Sequence, residues 1–264
     1  MNDTTTFKQS LTINLRVIGA LLMREIITRY GRHNLGFLWL FLEPMMFTLG
    51  VTAIWSYTHA NHLGSTLPIA AFTLTGYSTI LLWRNMPTRC VSAVIPNLGL
   101  MYHRNVVLLD IFVSRIVLEV TAVTASFSTL GILFFSSGLM KAPEDIVPVL
   151  IGWMMLAWFG ASMSLFVGAL GARSEVIEKI WHPISYLTFP LSGAAFMLEW
   201  LPAPARAVLI WMPTVNCCEI IRQGFFGPMV HAHYDMSYVA IFNTCLMLLG
   251  LAQVRLVAER IAPQ

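Results

Sequence analysis

The stretch REIITRYGRHNLGFLWLFLEP, Arg24 to Pro44, decides the fold. It opens with Arg24, Arg29 and Arg32, passes Gly36, runs through Phe37-Leu38-Trp39-Leu40-Phe41-Leu42 and closes on Glu43-Pro44. Beyond Pro44 the next Asp, Glu, Lys or Arg is Arg84. An uncharged run of that length is too long for one element of a soluble core. It suffices for two membrane crossings of roughly 20 residues each. Lys and Arg beside a span stay cytoplasmic, so Arg24, Arg29 and Arg32 fix the side from which the chain enters.

The rest of the chain agrees. Of its 264 residues 57% are hydrophobic and 11% charged, and the mean hydropathy is +0.71. A soluble domain carries about 25% charged residues. The chain therefore reads as a single polytopic membrane domain over 1–264, since no polar segment is long enough to fold alone. The net charge of +3 is small, and no run of charge points to nucleic acid. Cys90, Cys217, Cys218 and Cys245 form no C-x-x-C and read as small apolar helix residues. The N-terminus lacks the order of charge, apolar core and cleavage site of a signal peptide, so it is expected to be retained in the cytoplasm.

Outward from the opening stretch, residues 8–32 read as an interfacial helix. Leu11, Leu15, Ile18, Leu22 and Ile26 fall on one stripe, with Arg16 and Arg24 away from it. Arg29 would return to the stripe, so the helix is expected to bend or end there. Spans are expected at 35–57, 69–92, 108–137, 147–170, 180–199 and 236–257. Between the last two, Pro202, Pro204, Pro213, Gly224, Gly227 and Pro228 break the chain. The segment 200–235 therefore predicts short helices, near 203–211 and 214–226, dipping into the outer leaflet where protein or a water-filled cavity satisfies their backbone. The fold class is thus an all-α polytopic membrane protein. It has six transmembrane helices, an N-terminal interfacial amphipathic helix and short re-entrant periplasmic helices before the last span. Most of the 16 Lys and Arg lie on the side of the N-terminus, against Lys141, Arg206 and Arg222 outside, which places both termini in the cytoplasm.

Chemistry is sparse. A P-loop requires G-x-x-x-x-G-K-[ST], and Lys8, Lys141 and Lys179 are followed by Gln, Ala and Ile. Any ATP-driven step therefore belongs to a separate subunit. No G-x-S-x-G, H-E-x-x-H or C-x-x-C occurs. His231 and His233 beside Asp235 read as a polar external loop rather than a metal site. No catalytic residue and no metal ligand is assigned. Within the spans, Arg115 and Glu119 stand four apart and can pair on one helix face. Glu43 is expected either to pair with a basic neighbour such as Arg29 or Arg84, or to line a substrate path. The bend 96–110 mixes Leu98, Leu100 and Met101 with Tyr102, His103, Arg104 and Asn105. It reads either as an ordinary loop or as a short helix that docks on a soluble partner. Trp55, Tyr57, Trp83 and Trp200 read as belt residues. Any aromatic facing a pore offers a flat surface to a sugar ring.

With these segments in place, the chain resembles the membrane subunit of type-two ATP-binding-cassette exporters, most closely the capsule polysaccharide export permeases of Gram-negative bacteria. REIITRYGRHNLGFLWLFLEPMMF at 24–47 carries the resemblance. LTGYSTILLWRN at 74–85, HRNVVLLDIFVSRIVLE at 103–119, CEIIRQGFFG at 218–227 and Tyr234-Asp235 add to it. The resemblance implies a homodimer in the inner membrane with two copies of an ATPase subunit, which hold ATP and Mg. It implies coupling to them through Arg24, Arg29, Arg32, Leu100, Tyr102, His103, Arg104 and Asn105. It implies a canal lined from the first and fifth spans, with Trp39, Glu43, Trp181, Tyr186, Phe189 and Phe196. The broken segment, with Trp211, Pro213, Glu219 and Arg222, would form a periplasmic gate. A periplasmic co-polymerase and an outer-membrane exporter would complete the route of a lipid-linked acidic polysaccharide. Export of O-antigen, teichoic acid, a small lipid or a drug is the alternative. A membrane-embedded glycan or lipid transferase or a scaffold stands further off.

Overall fold

The computed structural model of the chain describes residues 7–30, 34–59, 67–101 and 106–261. The elements in order are α1 Phe7–Tyr30, α2 Asn34–His59, α3 Ile69–Val91, α4 Leu98–Met101, α5 Leu108–Ser136, α6 Ile146–Gly171, α7 Glu175–Leu187, α8 Ala203–Leu209, α9 Pro213–Phe226 and α10 Met236–Ile261. Three single 3-10 turns separate some of them, and no strand occurs among the described residues.

Four helices are long and apolar enough to cross a membrane: Leu38–Thr58 within α2, α5, α6, and Met236–Arg260 within α10. They coincide with the first, third, fourth and last expected spans. Helix α3 has 23 residues, enough for a crossing, but Thr73, Thr75, Ser78, Thr79, Arg84 and Arg89 lower its hydropathy. Its polarity is explained by its place. It packs against α2, α5, α6, α7 and α9, and Leu74, Ile80, Leu82 and Met86 are fully enclosed. A helix surrounded by protein needs no lipid-compatible face.

The expected fifth span at 180–199 is not one helix. Helix α7 ends at Leu187 after 13 residues, about 20 Å at 1.5 Å per residue, short of the roughly 30 Å hydrocarbon core. Turns follow from 188, then a 3-10 turn Leu198–Trp200. The cause is local. Pro190 disfavours helical backbone at Phe189 and supplies no N–H, and Gly193 adopts φ of +85°, a conformation natural only to glycine. Beyond it, α8 and α9 lie on the two expected short helices. Pro213 occupies the first helical position of α9, where its missing N–H costs nothing. Helix α9 is enclosed along its length, packed on α3, α6 and α10.

Lipid tails are as apolar as leucine, so helix association in a membrane rests on close packing and on bonds between helices. Thr52 and Thr73 share a hydroxyl hydrogen bond of 2.8 Å between α2 and α3. The Trp153 indole of α6 donates to Thr124 of α5 at 2.9 Å. The Asn243 amide of α10 donates to the Met155 carbonyl of α6 at 3.0 Å. Each contributes about 0.6–2 kcal/mol.

Helix α1 runs to Tyr30, ending next to the Arg29 that breaks its stripe. Val17 and Leu21 pack toward Ala93, Val94, Leu108 and Ile111. Leu22 and Ile26 pack toward Leu40, Leu118 and Ala122. Leu11 and Leu15, the outer end of the expected stripe, are exposed.

Candidate functional site

Charge concentrates where α1, α2, α3 and α5 meet. Arg115 of α5 pairs with Glu25 of α1 at 3.3 Å, and Glu25 with Arg29 one turn on at 2.9 Å. Arg29 then meets Glu119 of α5 at 2.5 Å. Arg89 of α3 bridges Glu119 at 3.4 Å and Glu43 of α2 at 3.8 Å. The result is an alternating ladder, Arg115–Glu25–Arg29–Glu119–Arg89–Glu43, electrically neutral in sum. The Arg115 guanidinium also donates to the Arg89 carbonyl. Burial works against the Arg29 charge, but Glu119 and Glu25 outweigh it and raise its pKa above the ordinary arginine value.

The two ends of the ladder differ. Glu119 is 5% exposed and Glu43 53%. Removing a partner from a buried pair costs about 3–5 kcal/mol, whereas an exposed pair contributes about 0–1 kcal/mol. The ladder is therefore a firm link between α1 and α5 with a loose rung at α2. Two expectations are corrected here. Arg115 and Glu119 do not pair with each other, because better partners on α1 and α3 face each of them. Glu43 pairs with Arg89, not with Arg29 or Arg84.

The expected coupling residues divide. Arg24 donates to the Asn97 side chain. Asn97 is buried and donates to the Ala93 carbonyl at 2.7 Å. Leu100 and Met101 of α4 pack on the cluster that holds Val17 and Leu21 of α1. Helix α1 and the start of the bend are thus one packed unit. Arg32, Tyr102, His103, Arg104 and Asn105 lie outside the described residues.

The expected canal residues divide too. Tyr186 lies beneath the Arg84 guanidinium, 4.9 Å from its ring centre, and Phe189 stands 5.8 Å from Tyr77. Tyr77 in turn neighbours Phe47 and Trp55 of α2 at 6.1 and 6.2 Å, and Trp55 neighbours Phe72, which stacks on Trp200. These rings make one aromatic wall across α2, α3 and the chain after α7. Glu43 and Arg84 line one cleft at its lower end. Trp39 is half exposed on α2, away from this cleft. Trp181 faces another way. At i, i+3 and i+7 it shares a helix face with Ile184 and Thr188, donates to Thr88 at 3.2 Å, and borders an apolar cavity of about 330 Å³ with Trp83, Phe159 and Trp211. Phe196 is half-buried in the turns beyond α7.

Of the expected gate residues, Glu219 and Arg222 are interior. Arg222 is fully enclosed. Its guanidinium donates to the carbonyls of Gly193 at 2.7 Å, Ala194 at 2.6 Å and Phe196, and lies 4.1 Å over the Phe72 ring. Glu219 accepts from the backbone N–H groups of Leu198 and His233. Asn216 donates to the carbonyls of Ile210 and Met212 and accepts from the N–H of Asp235. One face of α9 thus supplies the partners that irregular backbone at membrane depth requires. Gly76 of α3 permits the approach, since a Cβ there would stand 2.2 Å from the Ala194 carbonyl oxygen. Trp211 is exposed and edge-on to Tyr238, whose hydroxyl donates to the Trp211 carbonyl. Pro213 borders the same apolar cavity as Trp181. These four do not form one surface. Sequence reasoning missed Arg89, Asn97 and Asn216. The polar spacing Asn216, Glu219, Arg222 within an apolar segment was the available signal for a shared inward face.

A helical chain with four helices long and apolar enough to cross a membrane, and a neutral ion-pair ladder and an aromatic wall among them, has the make-up of a polytopic membrane protein. No family model matches the chain. Comparison with characterised proteins is informative. The chain is 41% identical over 266 residues to the capsule polysaccharide export inner-membrane protein BexB of Haemophilus influenzae, covering 99% of this chain and 98% of the relative. It is 38% identical over 260 residues to the capsule polysaccharide export inner-membrane protein CtrC of Neisseria meningitidis serogroup B, covering 98% of each. It is 25% identical over 239 residues to the polysialic acid transport protein KpsM of Escherichia coli, covering 90% of this chain and 92% of the relative. The chain belongs to the family of capsule polysaccharide export inner-membrane proteins.

Proposed function

We propose that this chain is the membrane subunit of an ATP-driven exporter that carries capsular polysaccharide across the inner membrane. The observation that carries the reading is the end-to-end similarity to BexB, with its named role in capsule polysaccharide export. The chain makes and breaks no bond. It works as a homodimer over two ATPase subunits, which hold ATP and Mg. A periplasmic co-polymerase and an outer-membrane exporter receive the polymer.

In this reading α3 and the segment of α7 with its following turns join the four apolar helices as the six crossings. Helices α8 and α9 sit toward the periplasm, and both termini are cytoplasmic. ATP binding in the partner pushes α1 and the bend around 98–105. The Arg24–Asn97 contact and the ladder pass that displacement to α5 and α2. A canal between α2 and α7 of the two copies then advances an acidic, lipid-linked polymer along its aromatic wall. The packing of α1 and α4 on one shared apolar cluster and the continuity of the ladder support this route.

The test is co-purification of the protein from membranes with its genomic neighbours co-expressed, with mass spectrometry of what accompanies it. A P-loop ATPase at one to one and a periplasmic co-polymerase are expected. A protein that emerges alone and acts on a glycan or lipid without nucleotide would overturn the reading in favour of a transferase.

A further inference from the structure

The apolar cavity that Trp181 borders lies behind α7, on the face turned away from Tyr186 and Arg84. Helix α7 packs on α3 and α6, and α10 packs on α6 and α9. The space left between them measures about 330 Å³ and is walled by Trp83, Phe159, Trp181, Ile184, Trp211 and Phe242, among others. Phe159 stands 5.8 Å from Trp83 and 6.2 Å from Phe242, so three helices contribute to one aromatic lining. Ile184 and Trp211 are exposed, which leaves the cavity open on their side.

One wall carries an unmet donor. Trp83 is 5% exposed, and its indole N–H meets no acceptor. The Trp181 indole donates to Thr88, and the Thr188 hydroxyl donates to the Ser185 carbonyl. A buried donor without a partner is rare and costly. Its depth is fixed by α6, one of the four apolar helices. Gly160 lies near the midpoint of Ile146–Gly171, and a Cβ there would stand 3.1 Å from the Trp83 Cα. Trp83 is therefore at mid-depth among the helices rather than in the interfacial belt expected of it.

These features select the occupant. Water does not settle in such a space, since an apolar cavity of about 150 Å³ stays dry and takes up benzene instead. A helix of a partner is too large, because a single turn is about 5.4 Å long and about 10 Å across. A sugar would leave its hydroxyls unpaired against these walls. A phospholipid carries its ester oxygens at the edge of the hydrocarbon, so its acyl chain brings no acceptor to the level of Trp83. The fitting molecule is flat and apolar, dissolves in hydrocarbon and carries a carbonyl on its ring. We propose that the cavity binds the head of an isoprenoid quinone from the bilayer, with the ring among Trp83, Phe159 and Phe242 and one carbonyl accepting from the Trp83 indole. The tail leaves past Ile184 and Trp211 into lipid. Binding stands apart from the exporter reading. Its consequence rests on that reading: a guest behind α7 limits how far this canal helix can yield.

The test uses the full chain in complex with its ATPase, in nanodiscs of saturated phosphatidylcholine. Two tritiated probes are compared, a decyl-substituted benzoquinone and decylbenzene, which keeps the ring and tail without the carbonyls. The wild type is expected to bind the quinone about tenfold more tightly than decylbenzene. Trp83→Phe removes the donor and keeps the ring, and is expected to abolish that preference with decylbenzene binding unchanged. Ile184→Trp fills the cavity from its open side and is expected to lose both probes at an unchanged melting temperature. Exchange of the saturated lipid for an oleoyl lipid is expected to leave quinone binding unaltered. Equal wild-type binding of the two probes, binding of neither, or a quinone preference that survives Trp83→Phe would overturn the site. Displacement of the quinone by the oleoyl lipid would overturn it in favour of an acyl chain. Complementation of capsule export in cells lacking their own permease decides the exporter reading separately.

Discussion

Glu119 receives two arginines on one carboxylate oxygen inside the protein, whereas Glu43 holds one at the rim. Glu119→Gln breaks the buried pair, leaving Arg29 with Glu25 alone and Arg89 with the exposed Glu43 alone, and is expected to cost about 3–5 kcal/mol. Glu43→Gln is expected to cost less than about 1 kcal/mol. Thermal unfolding of the purified variants in detergent measures both, and equal shifts would refute the distinction. Arg222→Met withdraws donors from three enclosed carbonyls, at about 1–3 kcal/mol each, and is expected to destabilise far more than Trp211→Ala on the exposed side of the same region. At this scale the sequence was half legible. The i, i+4 spacing of Arg115 and Glu119 allowed a pair within α5, but their true partners lie on other helices, Arg29 being 90 positions from Glu119. Spacing along one helix carries no information about such distant faces.

The long helices were readable because uncharged runs bounded by charge have one physical solution in lipid. Helix α3 was readable by length though its polarity was explained only by its enclosure. Helix α7 was not. Apolar composition continues past Leu187, so a window over 180–199 reads as a span, and only Pro190 and Gly193 mark the break. Between elements, the joint of α1 with the bend offers a functional prediction. Asn97→Ala removes the acceptor for Arg24 and the bond to Ala93. Export by the complex is expected to fall severalfold while ATP hydrolysis by the partner persists. Unchanged export with normal assembly would show that this joint transmits nothing.

For the molecule as a whole, the charge bias predicts which loops meet the periplasm. A single cysteine in place of Lys141 is expected to react with a membrane-impermeant maleimide in intact cells. One in place of Arg173 is expected to react only after permeabilisation. The opposite pattern would invert the topology. The family was legible because the stretches that carry the resemblance, 24–47, 74–85, 103–119 and 218–227, are spread over the chain. The aromatic wall and the ladder were not, because they arise from side chains that many separate segments bring together. The enclosed arginine of α9 adds a constraint on the order in which the chain is made. The carbonyls of Gly193, Ala194 and Phe196 leave the ribosome 26 to 29 residues ahead of Arg222, the side chain that donates to them among the described residues. Until then this segment has no donor of its own, and the insertion machinery must shelter it. A nascent chain arrested between 198 and 222 is therefore expected to stay with the translocon or be degraded. Release into the bilayer would follow once α9 has emerged.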